Sequence, residues 1–255
     1  MRLFAYFLLL PLFVMFFSSC QKEITGESAR PTDTSGNIGT GGSSTLVKTY
    51  TEDVTTASGN YKTTFDLSYD ISDRITSMVS KSNAGDKFVY QYGTNKFTLD
   101  IYVGNVIDIH QDRFVNNMLL MIDSTLQYNN TGDTSTEKYT YNAAKQLTRK
   151  KDYEVKGGVS TLVNTTDYAY DSNGNVTKET DSDGETTYEY TTLVNNLNIG
   201  YVYFNVNKNL PKTTTIKGAF AGTITHTYIF DSLNRLTSEK GTNSNGGVFV
   251  KTYTY

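Results

Sequence analysis

A single unit, repeated down the chain, restricts the fold more than any other feature. Its clearest copy runs from Tyr168 to Lys178 and reads Tyr-Ala-Tyr-Asp-Ser-Asn-Gly-Asn-Val-Thr-Lys. Tyr168 and Tyr170 flank Ala169, so in an extended chain both rings leave the same face. Gly174 adopts a positive φ cheaply, and Asp171 and Asn173 can hydrogen-bond their own backbone, so the chain reverses here. Pairing Asp171 with Asn175 across a three-residue loop sets Tyr170 opposite Val176 on one face and Ala169 opposite Thr177 on the other. The unit is a β-hairpin with one apolar and one polar face.

Leu67-Ser-Tyr-Asp-Ile-Ser-Asp-Arg-Ile-Thr76, Tyr139-Thr-Tyr-Asn-Ala-Ala-Lys-Gln-Leu-Thr148 and Tyr228-Ile-Phe-Asp-Ser-Leu-Asn-Arg-Leu-Thr237 repeat the pattern. Weaker copies stand at Tyr90-Gln-Tyr92, Tyr188-Glu-Tyr190 and Tyr253-Thr-Tyr255, with further turn-to-strand transitions after Asn116 and Asn207. The marks fall at Tyr69, Tyr92, Asn117, Tyr141, then Tyr170, Tyr190, Asn209, Phe230, then Tyr255, in steps of 19 to 29 residues. That is the length of two strands and two turns, the signature of a repeat architecture. The four-mark order occurs twice, as a duplicated four-hairpin block would give.

Between the marks the apolar period is 2, as in Thr223-Ile-Thr-His-Thr-Tyr-Ile-Phe230, and no window sustains a helical pattern. Beyond residue 19 the chain holds 39 Thr and 19 Tyr against 8 Phe and no Trp, a composition suited to a pleated surface wet on one side. The expected fold is all-β, an antiparallel hairpin-repeat meander of about 16 to 18 strands. A flat sheet of that length would leave its aromatic face open and two edges unpaired. The long twisted sheet therefore curls into an open shell, a partial barrel or two stacked layers. Tyr rather than Phe on the inner face implies hydroxyl partners inside.

Residues 1–19 stand apart. Met1-Arg2 and the apolar run from Leu3 to Phe17 form a charged start and a hydrophobic stretch too short to span a bilayer, the pattern of a signal peptide. Phe17-Ser-Ser-Cys20 resembles the bacterial lipoprotein box, with Phe17 in place of the usual Leu, and implies lipidation of Cys20, the only cysteine. Gln21-Lys-Glu23 is similar to the charged surface-export signal of Bacteroidetes-type lipoproteins. Residues 20–45 then read as a lipidated Cys and a flexible linker, and 46–255 as the folded domain. The expected address is the outer membrane, lipid-anchored, with surface display and a periplasm-facing anchor both open and the export signal favouring the surface.

The hairpin pattern of Tyr-Asp, a short turn, then Gly-Arg-Leu-Thr resembles the YD repeats of recombination-hotspot toxins, teneurins and small Bacteroidetes lipoproteins. Its turn positions are Tyr69 and Asp70, Tyr141 and Asn142, Tyr170 and Asp171 with Gly174, and Phe230 and Asp231. Asp73, Lys145 and Asn234 stand where the repeat has its turn Gly, and only Arg74 and Arg235 keep the Arg. The resemblance implies a β-shell with a scaffold or adhesive role, not a catalytic one.

Little else carries chemistry. His110 and His226 lack metal-ligand spacing, there is no Gly-x-Ser-x-Gly, and no cofactor is implied. Asp70, Asp171 and Asp231 recur at one place in the repeat, as turn caps do, and the acids are read as turn residues. Asp171-Ser-Asn-Gly-Asn175 and Asp181-Ser-Asp-Gly-Glu185 look like the opening of a calcium loop but satisfy turn chemistry fully. Without residues 1–19 the chain has 22 basic and 26 acidic side chains, net −4 and unclustered, which argues against nucleic acid. The partners expected are the membrane, through the lipid, and an envelope protein or glycan. Two alternatives to a non-enzymatic structural or interaction module stay open. One is a glycan-binding lipoprotein with an exposed Tyr face; the other, ranked below it, is a transmembrane barrel, for which Phe249–Tyr255 is similar to an assembly signal but no continuous apolar band follows.

Overall fold

A computed structural model describes residues 46–116, 121–199, 207–218 and 221–255. The first half of the described chain forms β1 (Thr49–Thr56), β2 (Gly59–Tyr69), β3 (Ile75–Ser80), β4 (Lys87–Tyr92), β5 (Lys96–Val103), β6 (Val106–Asn116), β7 (Met121–Asn129) and β8 (Thr134–Tyr141). The second half forms β9 (Leu147–Lys156), β10 (Val159–Tyr170), β11 (Val176–Thr180), β12 (Gly184–Val194), β13 (Asn209–Gly218), β14 (Gly222–Phe230), β15 (Leu236–Asn243) and β16 (Val248–Thr254). Each strand pairs antiparallel with its neighbours in sequence, and β1 also pairs with β16 from Thr49↔Thr254 to Thr55↔Val248.

The meander thus closes into a complete 16-strand barrel, not the open shell or partial barrel expected from sequence. Closure removes both edges at once. It is helped by a recurring bulge. Tyr170 faces Val176, but Ala169 faces Lys178 and not Thr177, because one extra residue sits in β11. The same slip follows Tyr69↔Ile75, Tyr141↔Leu147 and Phe230↔Leu236. Such bulges bend a strand and raise its twist, which rolls the sheet. The motif Thr occupies each bulge, and Thr148 and Thr237 donate their hydroxyls to the carbonyls of Thr140 and Ile229.

Even strands end, and odd strands begin, at one rim, where the chain enters at residue 46. We call it the N-terminal rim. The four motif turns lie here, while the turns at Gly59, Asn105, Gly132, Gly157, Asp181 and Gly246 lie at the far rim. Of the sequence marks, Asn117 lies outside the described residues. Asn209 opens β13 and does not close an even strand, so the seventh hairpin ends at Phe230.

The core is a ring. At or within two residues of the start of every odd strand sits one apolar side chain: Val47, Ile75, Phe97, Ile122, Leu147, Val176, Leu210 and Leu236. None is more than 7% exposed. The outer face is mostly polar: Asp66 and Ser68 on β2, Lys138 and Thr140 on β8, Thr225 and Thr227 on β14, Thr252 and Thr254 on β16 are all exposed, with Phe114 on β6 and Ile229 on β14 among them. Ion pairs such as Lys96–Asp112 (2.7 Å) and Arg149–Asp167 (2.6 Å) tie neighbouring strands on this side.

Candidate functional site

The repeat residues assemble one local structure four times at the N-terminal rim. Asp70 Oδ1 accepts the backbone N–H groups of Ser72 and Arg74 (2.9 and 3.0 Å); Asp171 does the same for Asn173 and Asn175 (2.8 and 2.9 Å), and Asp231 for Leu233 and Arg235 (3.0 and 2.8 Å). Asn142 accepts from the Gln146 N–H (2.9 Å). The fourth residue of each turn is left-handed: Asp73 (φ 61°), Lys145 (60°), Gly174 (89°) and Asn234 (59°). These are the positions where the repeat expects Gly, so three copies hold a side chain in a conformation that favours its absence.

The residue after it closes the turn from above. Arg74 and Arg235 each fork onto the second oxygen of their Asp, with Nε 2.7 Å away. Their guanidinium carbons lie 4.4 Å from the ring centres of Tyr92, which ends β4, and Tyr255, which follows β16. Asn175 and Gln146 fill the same place with amides bonded to Asp171 and Asn142. Burial pushes the Asp70 and Asp171 carboxyls upward, but the hydrogen bonds converging on them outweigh it and hold them below the usual carboxylate range. Asp231 is lowered chiefly by the Arg235 backbone N–H.

The second tyrosine of the unit turns inward and reaches the preceding odd strand. Tyr69, Tyr141, Tyr170, Tyr190 and Tyr255 donate to the carbonyls of Val47, Ile122, Leu147, Val176 and Leu236, at 2.5 to 2.9 Å. Every acceptor is a ring residue. Where the unit has Phe230, Tyr228, two residues earlier on the same face, donates to Pro211 instead (2.6 Å). Burial raises these phenols, Tyr255 to about 12. The expected hydroxyl partners are thus backbone carbonyls. The exposed Tyr face needed for a glycan platform is not formed, because the repeat tyrosines line the inside and their hydroxyls are taken.

The described parts of the β12–β13 connection, residues 195–199 and 207–208, contact this end. Val47 N–H donates to Asn198 (3.2 Å), Leu197 and Ile199 pack on the core, and Val176 N–H donates to the Asn207 side chain (2.8 Å). Asn196 bonds the Asn234 carbonyl. Cys20 and the signal and linker segments lie outside the described residues.

Deeper inside is a polar belt that sequence reasoning missed. The acids do not all occupy turns: Glu52, Glu137, Asp152, Glu179 and Glu239 lie within strands, in phase with the inward tyrosines. On one side Thr214, His226, Glu239, Lys251 and Glu52 form a row across β13, β14, β15, β16 and β1. His226 Nε2 is 3.0 Å from Thr214 Oγ1 and its Nδ1 is 3.0 Å from Glu239 Oε1, while Lys251 Nζ is 3.7 Å from Glu239 Oε2. Lys251 faces Glu52 across the β1–β16 seam. Burial raises Glu52, with Lys251 opposing, and its Oε1 has no hydrogen-bond donor. Burial also acts on Glu239, but Lys251 and His226 outweigh it and hold that carboxyl low.

On the other side Lys150 Nζ lies 3.1 Å from Asp152 Oδ1 and 3.6 Å from Glu137 Oε1, and Tyr139 donates to Glu137. Tyr188 donates to Glu179 (2.9 Å). His110, by contrast, sits on the outer face beside Asp100 (2.5 Å). Among the described residues no group of three or more His, Cys, Asp and Glu side chains is placed to hold a metal ion. The signal that could have found the belt is the inward phase itself: Lys251 precedes Tyr253 by two residues, and Glu137 precedes Tyr139 by two.

Residues 164–202, which contain the clearest copy of the unit, match the family model described as RHS Repeat. A search of curated proteins returns no match. Among solved structures, a porin-like protein from Bacteroides uniformis superposes with a TM-score of 0.63 at 12% identity, covering 82% of this chain and 97% of the other. A porin-like protein from Bacteroides vulgatus gives a TM-score of 0.55 at 11% identity, covering 83% and 99%. At such identities the likeness is one of fold: the barrel is shared.

Proposed function

We propose that this chain is a lipid-anchored, non-enzymatic barrel of the outer membrane, a structural or interaction module of the cell envelope whose wall stands in water and not in the bilayer. One observation carries the reading: the outward positions of the strands are mostly Thr, Ser, Lys, Asp and Glu, tied by ion pairs, with apolar residues such as Phe114 (40% exposed) and Ile229 (64%) interspersed on separate strands. A lipid-spanning barrel needs the opposite, an apolar outer band about 25 Å tall flanked by aromatic girdles. The apolar ring lies at the N-terminal rim, where Leu197 and Ile199 pack against it.

Attachment then falls to Cys20. A linker of about 25 residues reaches on the order of 25 to 30 Å, enough to let the barrel stand off the surface. Two neighbours described as porin-like favour an outer-membrane address.

Mass spectrometry of the N-terminal peptide tests the anchor. A diacylglyceryl-modified Cys20 with residues 1–19 removed is expected, and cells treated with protease should release the barrel by cleavage in the linker. An unmodified Cys20 with the apolar leader still attached would overturn the proposal.

A further inference from the structure

The repeat tyrosines end even strands and turn inward, but three others do neither. Tyr102, Tyr128 and Tyr153 lie near the far-rim ends of the odd strands β5, β7 and β9. Each directly follows an inward residue, Ile101, Gln127 or Asp152, so each ring leaves the outer face. Among the described Tyr and Phe residues, these three and Phe114 on β6 are the ones that face out, and β1 to β4 and β10 to β16 carry none there. One sector of a largely Thr-bearing wall therefore holds all the outward phenols.

The three follow a diagonal track. Tyr128 shares a ladder row with His110 and Asp100, two residues farther from the far rim than Tyr102. The same row runs on through Thr134 to Val155, and Tyr153 stands two residues farther again. Alternate strands are about 10 Å apart and two residues span about 7 Å, so successive rings stand roughly 12 Å apart. Their hydroxyls are not spent on the fold: none has a hydrogen-bond partner among the described residues, whereas Tyr69, Tyr141 and Tyr170 bond carbonyls. Each ring also has a polar neighbour. Lys87 Nζ is 4.8 Å from the centre of Tyr102, the His110 ring 5.9 Å from that of Tyr128, and Lys138 Nζ 5.4 Å from that of Tyr153. Neither lysine pairs with an acid among the described residues, while the nearby Asp100 and Asp112 are bonded to His110 and Lys96.

We propose that this track binds an anionic polysaccharide, its sugar rings laid on the three phenols and its carboxylates met by Lys87 and Lys138. A pyranose presents a C–H face that an aromatic ring covers and a rim of hydroxyls that the free phenols, Thr134 and Thr136 can bond. One such contact is weak, but three along one polymer act together, which favours a chain over a single sugar. A protein partner of ordinary size needs roughly 800 Å² of contact with a dry apolar centre, and here polar side chains separate one ring from the next. A bilayer would take both ammonium groups out of water. The site rests on the proposed function only in needing this wall to stand in water.

The test uses the full chain carrying Cys20→Ser, in buffer without detergent, titrated with polygalacturonate and with its methyl-esterified form, which keeps the sugar rings and loses the charge. The acidic polymer should bind, with an affinity that falls as salt is raised, and the ester should bind at least roughly tenfold more weakly. Tyr102→Ala, Tyr128→Ala and Tyr153→Ala should each weaken binding several-fold and together abolish it, with the circular dichroism of the barrel unchanged. Lys87→Gln combined with Lys138→Gln should bring the acidic polymer down to the affinity of the ester, and Thr225→Ala, on the outer face of β14, should bind as the unsubstituted chain does. No binding of the acidic polymer would overturn the proposal, as would equal affinity for the two forms or full affinity in the triple tyrosine variant. A chain that stays in solution without detergent yet binds neither polymer refutes this site and leaves the proposed function standing; a chain that needs detergent refutes both.

Discussion

Lys145 holds φ 60° at the place where Gly174 holds 89° in the clearest copy of the unit. A left-handed non-Gly residue carries a cost of about 1 kcal/mol, so Lys145→Gly should raise stability by about 0.5 to 1 kcal/mol, read as a higher urea midpoint with an unchanged slope. A lower midpoint would mean that the Lys side chain contributes more than its backbone conformation costs. Tyr170→Phe should lower stability by about 1 to 2 kcal/mol, because the Leu147 carbonyl loses its donor in a buried place. The phenols also set a pH dependence. Their folded pKa values lie above the ordinary value near 10, so their contribution is complete below pH ~10 and is lost as pH rises through the folded values, that of Tyr255 at about 12. Melting temperature should therefore fall steadily above pH ~10; a flat profile to pH ~12 would contradict the buried hydroxyl bonds. At this scale the sequence was readable. The Tyr, the Asp and the turn Gly or its replacement announce themselves by type. What could not be read was the bulge at Thr177, since a hairpin without one satisfies the same residue types and differs only in register.

Five hairpins each join a ring residue to a phenol across a strand pair. Leu236, 1% exposed, sits in the ring while its own carbonyl accepts from Tyr255. Leu236→Ala should cost about 2 to 5 kcal/mol, with the spread set by how far neighbouring hairpins can close the gap. The seam between β1 and β16 needs different support, because no turn joins those strands. There the stacked rings of Tyr50 and Tyr253, 5.7 Å apart, lie next to Lys251, with Glu52 and Glu239 on either side. Lys251→Met should destabilise by about 3 to 5 kcal/mol, since it leaves buried carboxylates without their cation, and Lys251→Met with Glu52→Gln should recover part of the loss. Thermal unfolding of the single and double variants reads this directly; strictly additive losses would show that Lys251 and Glu52 do not interact. The strands themselves were legible from period 2 and the Gly and Asn reversals. The belt was not, because charged residues on strands suggest an outer face unless their phase is counted from the tyrosines.

For the molecule as a whole, sixteen strands with a bulge near the start of many odd strands twist enough to bring β1 to β16, and closure follows from geometry that no single hairpin reveals. That is why a meander could be read from the sequence and a barrel could not. Closure also decides which face matters. Tyrosines that would form a platform on an open sheet become the lining of a closed one, and the Thr-rich side becomes the only surface the surroundings meet. The proposed function assigns attachment to Cys20 and keeps the barrel wall out of the bilayer. Partition of the Cys20→Ser chain tests this most directly: membranes are separated from soluble material without detergent, and the protein is located. The account predicts that the variant moves to the soluble fraction as a folded β-protein while the unsubstituted chain stays with the membrane. A folded variant that remains membrane-bound until detergent is added would contradict it.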